Sequence, residues 1–168
     1  MAEAEGAKMP VVARKSSTSP NQIPWPPIIL AAAALSAIAL GRGVPLPAIL
    51  NVWVRIGGGL IAGLGVALDL WAIVTMRRAN TNILPHRSAD HLVTWGPFAI
   101  TRNPIYIGNN LLMLGIGLCF ENFWFVLFGI AASLAVDRLA IRREERHLAE
   151  LFGKEWTEYS SCVPRWLV

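Results

Sequence analysis

Residues 103–136 read NPIYIGNNLLMLGIGLCFENFWFVLFGIAASLAV, and the only charge in these 34 positions is Glu121. Eighteen uncharged residues run up to Phe120 and fifteen follow from Asn122. Each run approaches the roughly 20 apolar residues that carry a helix across a bilayer, with snorkelling side chains extending the reach of a short one. Lipid offers no partner to a free backbone amide or carbonyl, so helix is the regular structure such runs can take. The connection between them, from Phe120 to Phe123, leaves room only for a tight turn. The stretch therefore predicts a helical hairpin in a membrane.

The same pattern recurs upstream. Residues 16–41 hold no charge over 26 positions, and residues 56–76 hold a single one, Asp69, in 21. These runs predict four spans, near 24–41, 53–76, 104–120 and 122–141. Composition agrees: 54% of the 168 residues are hydrophobic and 15% charged, against about 25% charged in an ordinary soluble domain. The mean hydropathy is +0.47. Too little charge is present to cover a water-facing surface, which excludes a disordered chain and a coiled coil. The fold class expected is all-α: a multi-pass membrane helical bundle with a C-terminal helical extension. Residues 1–22, small, polar and bearing Pro and Ser, read as a disordered arm. Residues 23–168 read as one membrane domain. A cleaved leader is the competing reading of the first 41 residues, but it would be long and lacks a clear small-x-small cleavage site.

Basic residues orient the spans. Lys8, Arg14 and Lys15 precede the first; Arg77, Arg78, Arg87 and Arg102 lie between the second and third; Arg138, Arg142, Arg143, Arg146, Lys154 and Arg165 follow the fourth. That puts 13 of 15 basic residues on one side, so both termini are expected in the cytoplasm. A bacterial inner membrane and an endomembrane fit equally. Trp25, Trp53 and Trp124 fall near span ends, where interfacial indoles sit. The net charge of +4, dispersed in this way, reads as membrane orientation and not as nucleic-acid binding.

Some features read as structural. Gly57-Gly58-Gly59 and the glycines after it resemble a nucleotide loop, but no strand precedes them and they lie within a span. The series Gly59, Gly63, Ala67 reads as a close helix-packing face. His86, His91 and His147 lack metal-ligand spacing, and neither Cys119 nor Cys162 stands beside them, so no metal is expected. Two cysteines cannot build a disulfide scaffold. Asp69, a charge within a span, is open between a functional group and an ion pair with arginine.

Two polar concentrations remain. In the first, Thr101-Arg102-Asn103-Pro104-Ile105-Tyr106-Ile107-Gly108-Asn109-Asn110, the proline marks a helix start. Asn103, Tyr106 and Asn110 share one face, which Arg102 and Asn109 overlap. So many hydrogen-bonding groups in the first turns of a membrane helix are costly without partners or a ligand. The second, Arg142-Arg143-Glu144-Glu145-Arg146-His147, continues the last span past the membrane surface. Glu144 falls on the face of Leu148 and Leu151, whereas Glu145 reads as a solvated charge balanced by Arg142 and Arg146. Gly153 reads as the helix stop. Both clusters face one compartment, which suits a polar cofactor from the cytosol and a lipophilic substrate from the bilayer.

At these residues the chain resembles the superfamily of isoprenylcysteine carboxyl methyltransferases and phospholipid methyltransferases. One motif is carried by His91-Leu92-Val93-Thr94-Trp95-Gly96-Pro97-Phe98 and Arg102-Asn103-Pro104-Ile105-Tyr106-Ile107-Gly108. The other is carried by Glu144-Glu145, Leu148, Leu151, Phe152-Gly153, Trp156, Tyr159 and Val163-Pro164-Arg165. The resemblance covers about residues 80–166. It implies an integral membrane enzyme moving a methyl group from S-adenosylmethionine to a lipophilic acceptor: an isoprenylcysteine-like carboxylate, a phospholipid amine or another small apolar molecule. It further implies a cofactor site of His91, Leu92, Val93, Gly96, Phe98, Arg102, Asn103, Tyr106, Glu144 and Glu145, with Arg102, Tyr106 and Glu144 in the chemistry. Arg102 suits the cofactor carboxylate, Glu144 its ammonium or ribose hydroxyls, and Tyr106 and Phe98 its adenine or sulfonium. Asn103 stands where many members have histidine and can be only a hydrogen-bonding contact. Asn109-Asn110 replace the aromatic residue of the isoprenylcysteine branch, which shifts the expected acceptor toward a broader lipid or small apolar molecule. The rival readings are an NADPH-dependent membrane reductase of the steroid-reductase-like type and a non-enzymatic membrane subunit.

Overall fold

The structure, a computed structural model, describes residues 23–47, 51–81 and 91–167. The expected arm at 1–22, His86 and Arg87 lie outside the described residues. Six α-helices run in order: α1 (Trp25–Gly43), α2 (Val52–Arg78), α3 (Pro104–Cys119), α4 (Trp124–Val136), α5 (Arg142–Phe152) and α6 (Lys154–Cys162). A single π-helical turn, Asp137–Ile141, joins α4 to α5, so that Trp124–Phe152 is one continuous helical run of 29 residues. Among the described residues there is no strand.

Three helical runs are long and apolar enough to cross a bilayer: α1, α2 and Trp124–Phe152. The protein is an integral membrane helical bundle. The third expected span is shorter than a full crossing. α3 has 16 residues, about 24 Å at 1.5 Å per residue, against about 30 Å of hydrocarbon. Pro104 fixes its start. At its other end Glu121 adopts a left-handed conformation, φ 55°, which ends the helix and turns the chain into α4. Asn122 then secures the tip: its Oδ1 accepts the Trp124 amide at 3.2 Å, and its Nδ2 donates to the Ala37 carbonyl of α1 at 3.0 Å. The Trp124 indole donates to the Val44 carbonyl at 2.8 Å.

The helices pack in the lateral order α2, α3, α4, α1. Ala33 and Ala37 of α1 meet Met113 of α3 and Phe125 and Ala132 of α4 in one buried cluster. α2 and α3 approach at backbone distance. A Cβ on Gly58 would fall 2.6 Å from the Cys119 amide nitrogen, one on Gly65 2.6 Å from the Gly108 carbonyl, and one on Gly115 2.6 Å from the Gly58 carbonyl. This corrects the expected packing face. A Cβ on Gly59 or Gly63 would meet nothing within 4 Å, and Ala67 is exposed. The small-residue series that the spacing singles out points away from the bundle, and the adjacent register, Gly58 and Gly65, carries the contact. Gly108 completes it, since a side chain there would collide with the carboxylate of Asp69. Asp69 Oδ1 is buried without a hydrogen-bond partner, and among the described residues no arginine pairs with it.

These registers separate experimentally. Gly115→Ala should cost about 1–3 kcal/mol through overpacking. Gly59→Ala and Gly63→Ala should be neutral or gain up to about 1 kcal/mol from helix propensity. Unfolding of detergent-solubilised variants measures both.

Candidate functional site

A cavity of about 420 Å³ opens where the start of α3, the end of α2, the first turns of α5, the body of α6 and the first turns of α1 converge. Its polar side is assembled from both motif halves. Pro97 leads a short 3₁₀ turn, Gly96–Ala99, that aims Phe98 at the cavity. Pro104 then starts α3 and puts Tyr106 in its first turn, against α5. The Tyr106 hydroxyl lies 3.2 Å from both Glu144 oxygens and donates to that carboxylate. The π turn advances the helix by an extra residue, which brings Glu144 and Glu145 together onto the cavity side.

Glu145 is not solvated as the sequence pattern suggests. Its side chain is 12% exposed and gripped by two guanidinium groups. Arg102 Nη1 lies 3.1 Å from Oε1, Arg165 Nε donates to Oε1 at 3.0 Å, and Arg165 Nη2 donates to Oε2. Arg142, the balancing cation expected for Glu145, instead donates through Nε to Asp137 Oδ2 at 2.8 Å. Arg146 donates to the Arg142 carbonyl. Arg102 also lies 5.6 Å from the Trp156 ring centre, a cation–π geometry. Its Nε is buried without a hydrogen-bond partner. The hydrogen bond from Arg165 to Glu145 raises the Arg165 pKa.

The C-terminal segment is laced over the start of α3. The Arg102 amide donates to the Pro164 carbonyl at 2.9 Å. The Thr101 hydroxyl and the Asn103 side-chain Nδ2 both donate to the Arg165 carbonyl, at 2.9 and 3.1 Å. Asn103 is thus a structural tie as well as a lining residue. The Tyr159 hydroxyl donates to the Phe98 carbonyl at 2.7 Å, fixing the 3₁₀ turn to α6.

Of the ten sequence-derived site residues, nine line the cavity: His91, Leu92, Val93, Phe98, Arg102, Asn103, Tyr106, Glu144 and Glu145. Gly96 does not. It takes φ +64° and passes so close to Thr75 of α2 that a Cβ would lie 3.0 Å from the threonine hydroxyl. Its role is to turn the chain. Trp156 and Tyr159, present in the motif but absent from the expected set, also line the cavity and are both buried. Their three-residue spacing on a helix already places them on one face. Pro26 and Leu30 of α1 and Ile73 and Met76 of α2 complete the apolar wall. Nothing in the local sequence marks them, because only the tertiary fold brings them here. Among the described residues no group of three or more His, Cys, Asp or Glu side chains comes together.

Comparison with known proteins adds three findings. A family model described as phospholipid methyltransferase matches residues 53–155. The protein-S-isoprenylcysteine O-methyltransferase B of Arabidopsis thaliana is 32% identical over 117 residues, covering 67% of this chain and 58% of the plant protein. The cobalt-zinc-cadmium resistance protein CzcN of Cupriavidus metallidurans is 35% identical over 78 residues, 46% of this chain and 36% of that protein. The chain therefore spans little more than half the length of the plant relative and about a third of the bacterial one.

Burial pushes the Tyr159 phenol up from 10.0 to about 12, with Arg102 opposing and Glu145 adding to the rise. A raised folded-state pKa means that the unfolded chain releases its proton first. The stabilisation is complete below pH 10 and should be lost as pH climbs from 10 through about 12. Tyr159→Phe should cost roughly 0.5–1.5 kcal/mol at neutral pH and flatten that alkaline decline, as read from unfolding curves across the range.

Proposed function

The chain belongs to the phospholipid methyltransferase family, and from that premise we propose that it transfers a methyl group from S-adenosylmethionine to a lipophilic acceptor, in the cavity at the start of α3. The observation that carries this reading is the cavity's mixed lining. The charged and hydrogen-bonding side chains of Arg102, Tyr106, Glu144 and Glu145 share it with the apolar Pro26, Leu30, Ile73 and Met76.

The side chains fit the donor's groups. Arg102 keeps a buried Nε free of any partner, a donor suited to a carboxylate. Glu144, already accepting from Tyr106, suits an ammonium or ribose hydroxyls. Phe98, Leu92, Val93 and Trp156 supply apolar and aromatic surface for a planar base. When bound, S-adenosylmethionine supplies a methyl group on a positive sulfonium, open to displacement by a nucleophile. The protein's task is then positioning, since an in-line displacement gains most from holding its two reactants in register. A carboxylate acceptor would need no base. An amine acceptor would require one, and Glu144 or His91 could take that proton.

The acceptor class rests on the relatives. The plant protein is named for isoprenylcysteine and the family for phospholipid; both are lipophilic. The distribution of basic residues supports a cytoplasmic placement of the cavity. The polar cofactor would then come from water and the acceptor from the bilayer past α1.

Calorimetric titration of the purified chain with S-adenosylhomocysteine, and in parallel with NADPH, tests the proposal. Saturable binding of the first alone is expected. Binding of NADPH alone, or of neither to folded protein, would overturn it. Glu144→Ala should weaken S-adenosylhomocysteine binding by roughly 1.5–3 kcal/mol, the scale of a hydrogen bond to a charged group. An unchanged affinity would remove Glu144 from the site.

A further inference from the structure

Two adjacent amides, Asn109 and Asn110, stand on α3 one turn past Tyr106. Asn110 Oδ1 meets the Ser133 hydroxyl of α4, which also donates to the Gly129 carbonyl at 2.8 Å. A serine has one hydroxyl proton, which serves one acceptor, while its oxygen can take an amide N–H in return, so Asn110 and Ser133 form a paired contact. Among the described residues, the Asn109 side chain has no hydrogen-bond partner. Within a membrane bundle such groups are expensive unless something polar meets them.

These side chains line a second, small cavity of about 20 Å³. Pro26, Leu30, Tyr106 and Asn109 line both cavities, so the small one adjoins the large. Its volume suffices for one water-sized group. Its lining is mostly apolar, from Pro26, Leu30, Ala132, Val136 and Trp166, with a small polar share among Tyr106, Asn109, Asn110 and Ser133. No Lys, Arg, His, Asp or Glu lines it. A phosphate or carboxylate placed there would find no countercharge and would pay the full cost of burial. A hydroxyl or carbonyl would find amide and hydroxyl partners.

We propose that this recess is a subsite for a single neutral polar group, a hydroxyl or carbonyl, of an amphiphile whose apolar body lies along Pro26 and Leu30. On the methyltransferase reading, on which this assignment of role rests, that amphiphile is the methyl acceptor. Asn109 selects an acceptor with a compact uncharged head beside its chain over one that places an anionic head there.

The test uses the full chain in lipid nanodiscs. Thermal unfolding is followed against concentration of 1-dodecanol, dodecane and dodecyl phosphate, with S-adenosylhomocysteine binding measured on the same samples. Dodecanol should half-saturate at a concentration roughly three- to ten-fold below that of dodecane, the worth of one neutral hydrogen bond, and dodecyl phosphate should do no better than dodecane. Asn109→Leu, with Asn109→Ala as a second variant should the first not fold, should abolish the preference for dodecanol. Equal affinity for dodecanol and dodecane, a preference for dodecyl phosphate, or a preference that survives both variants would overturn the subsite. The two readings fail separately. Absent S-adenosylhomocysteine binding with an intact dodecanol preference would reject the methyl-donor reading and leave the recess. The converse would reject the recess alone.

Discussion

One carboxylate holds the site together. Glu145 receives Arg102 from the start of α3 and Arg165 from the C-terminal segment, while standing itself on α5. Three segments distant in sequence converge on two oxygen atoms. A carboxylate this buried is tolerable only because its charge is met twice by forked donors. The consequence reaches beyond the pair. Arg102, once fixed, stacks on Trp156 and leaves its Nε facing no protein acceptor. Arg165, once fixed, offers its carbonyl to Thr101 and Asn103, which closes the C-terminal segment over the start of α3. The polar side chains lining the cavity are therefore held by one another, the pre-organisation on which the proposed displacement would draw.

The bundle beneath obeys the constraint of lipid. Between membrane helices there is little hydrophobic gain, so association depends on close contact. α2 and α3 obtain it with Gly58, Gly65 and Gly115, where a methyl group would already be too large. The contact sets the depth of α3 relative to α2, and so where Tyr106 lies relative to Ile73 and Met76. α3, 16 residues long, is shorter than the other apolar runs, and its position is determined at both ends: by Asn122 and the hairpin tip, and by the Arg102 and Asn103 ties at its start.

Much of this was legible in the sequence. Charge-free runs define the helices because lipid punishes isolated charges, and they do so without tertiary information. The motif residues came together because two short segments, each locally helical, flank one hairpin. What was not legible has a common cause. The sequence series Gly59, Gly63, Ala67 has the right spacing on the wrong side, and spacing alone cannot tell which register faces a neighbour and which faces lipid. Glu145 looked solvated because its charged neighbours Arg142 and Arg146 are local, whereas its true partners lie 43 and 20 residues away. Pro26, Leu30, Ile73 and Met76 carry no chemical mark, and only the fold makes them a wall. The π turn, too, is invisible in residue type. Its extra residue shifts the register of Glu144 and Glu145 by one position relative to a regular helix.

Polarity along α3 falls with distance from the interface. Arg102 precedes the helix and is ion-paired. Tyr106, in its first turn, is a phenol bound to a carboxylate. Asn109 and Asn110, about 5 Å further along the axis, are neutral amides, and beyond them the helix is apolar to Cys119. The order follows the rising cost of charge with depth in a bilayer. It also sorts what could bind against each level: an ionic group by Arg102 and Glu144, a neutral polar group by the amides, and hydrocarbon beyond. A single short helix can thus present a graded surface to a molecule that is itself part ion, part polar and part lipid.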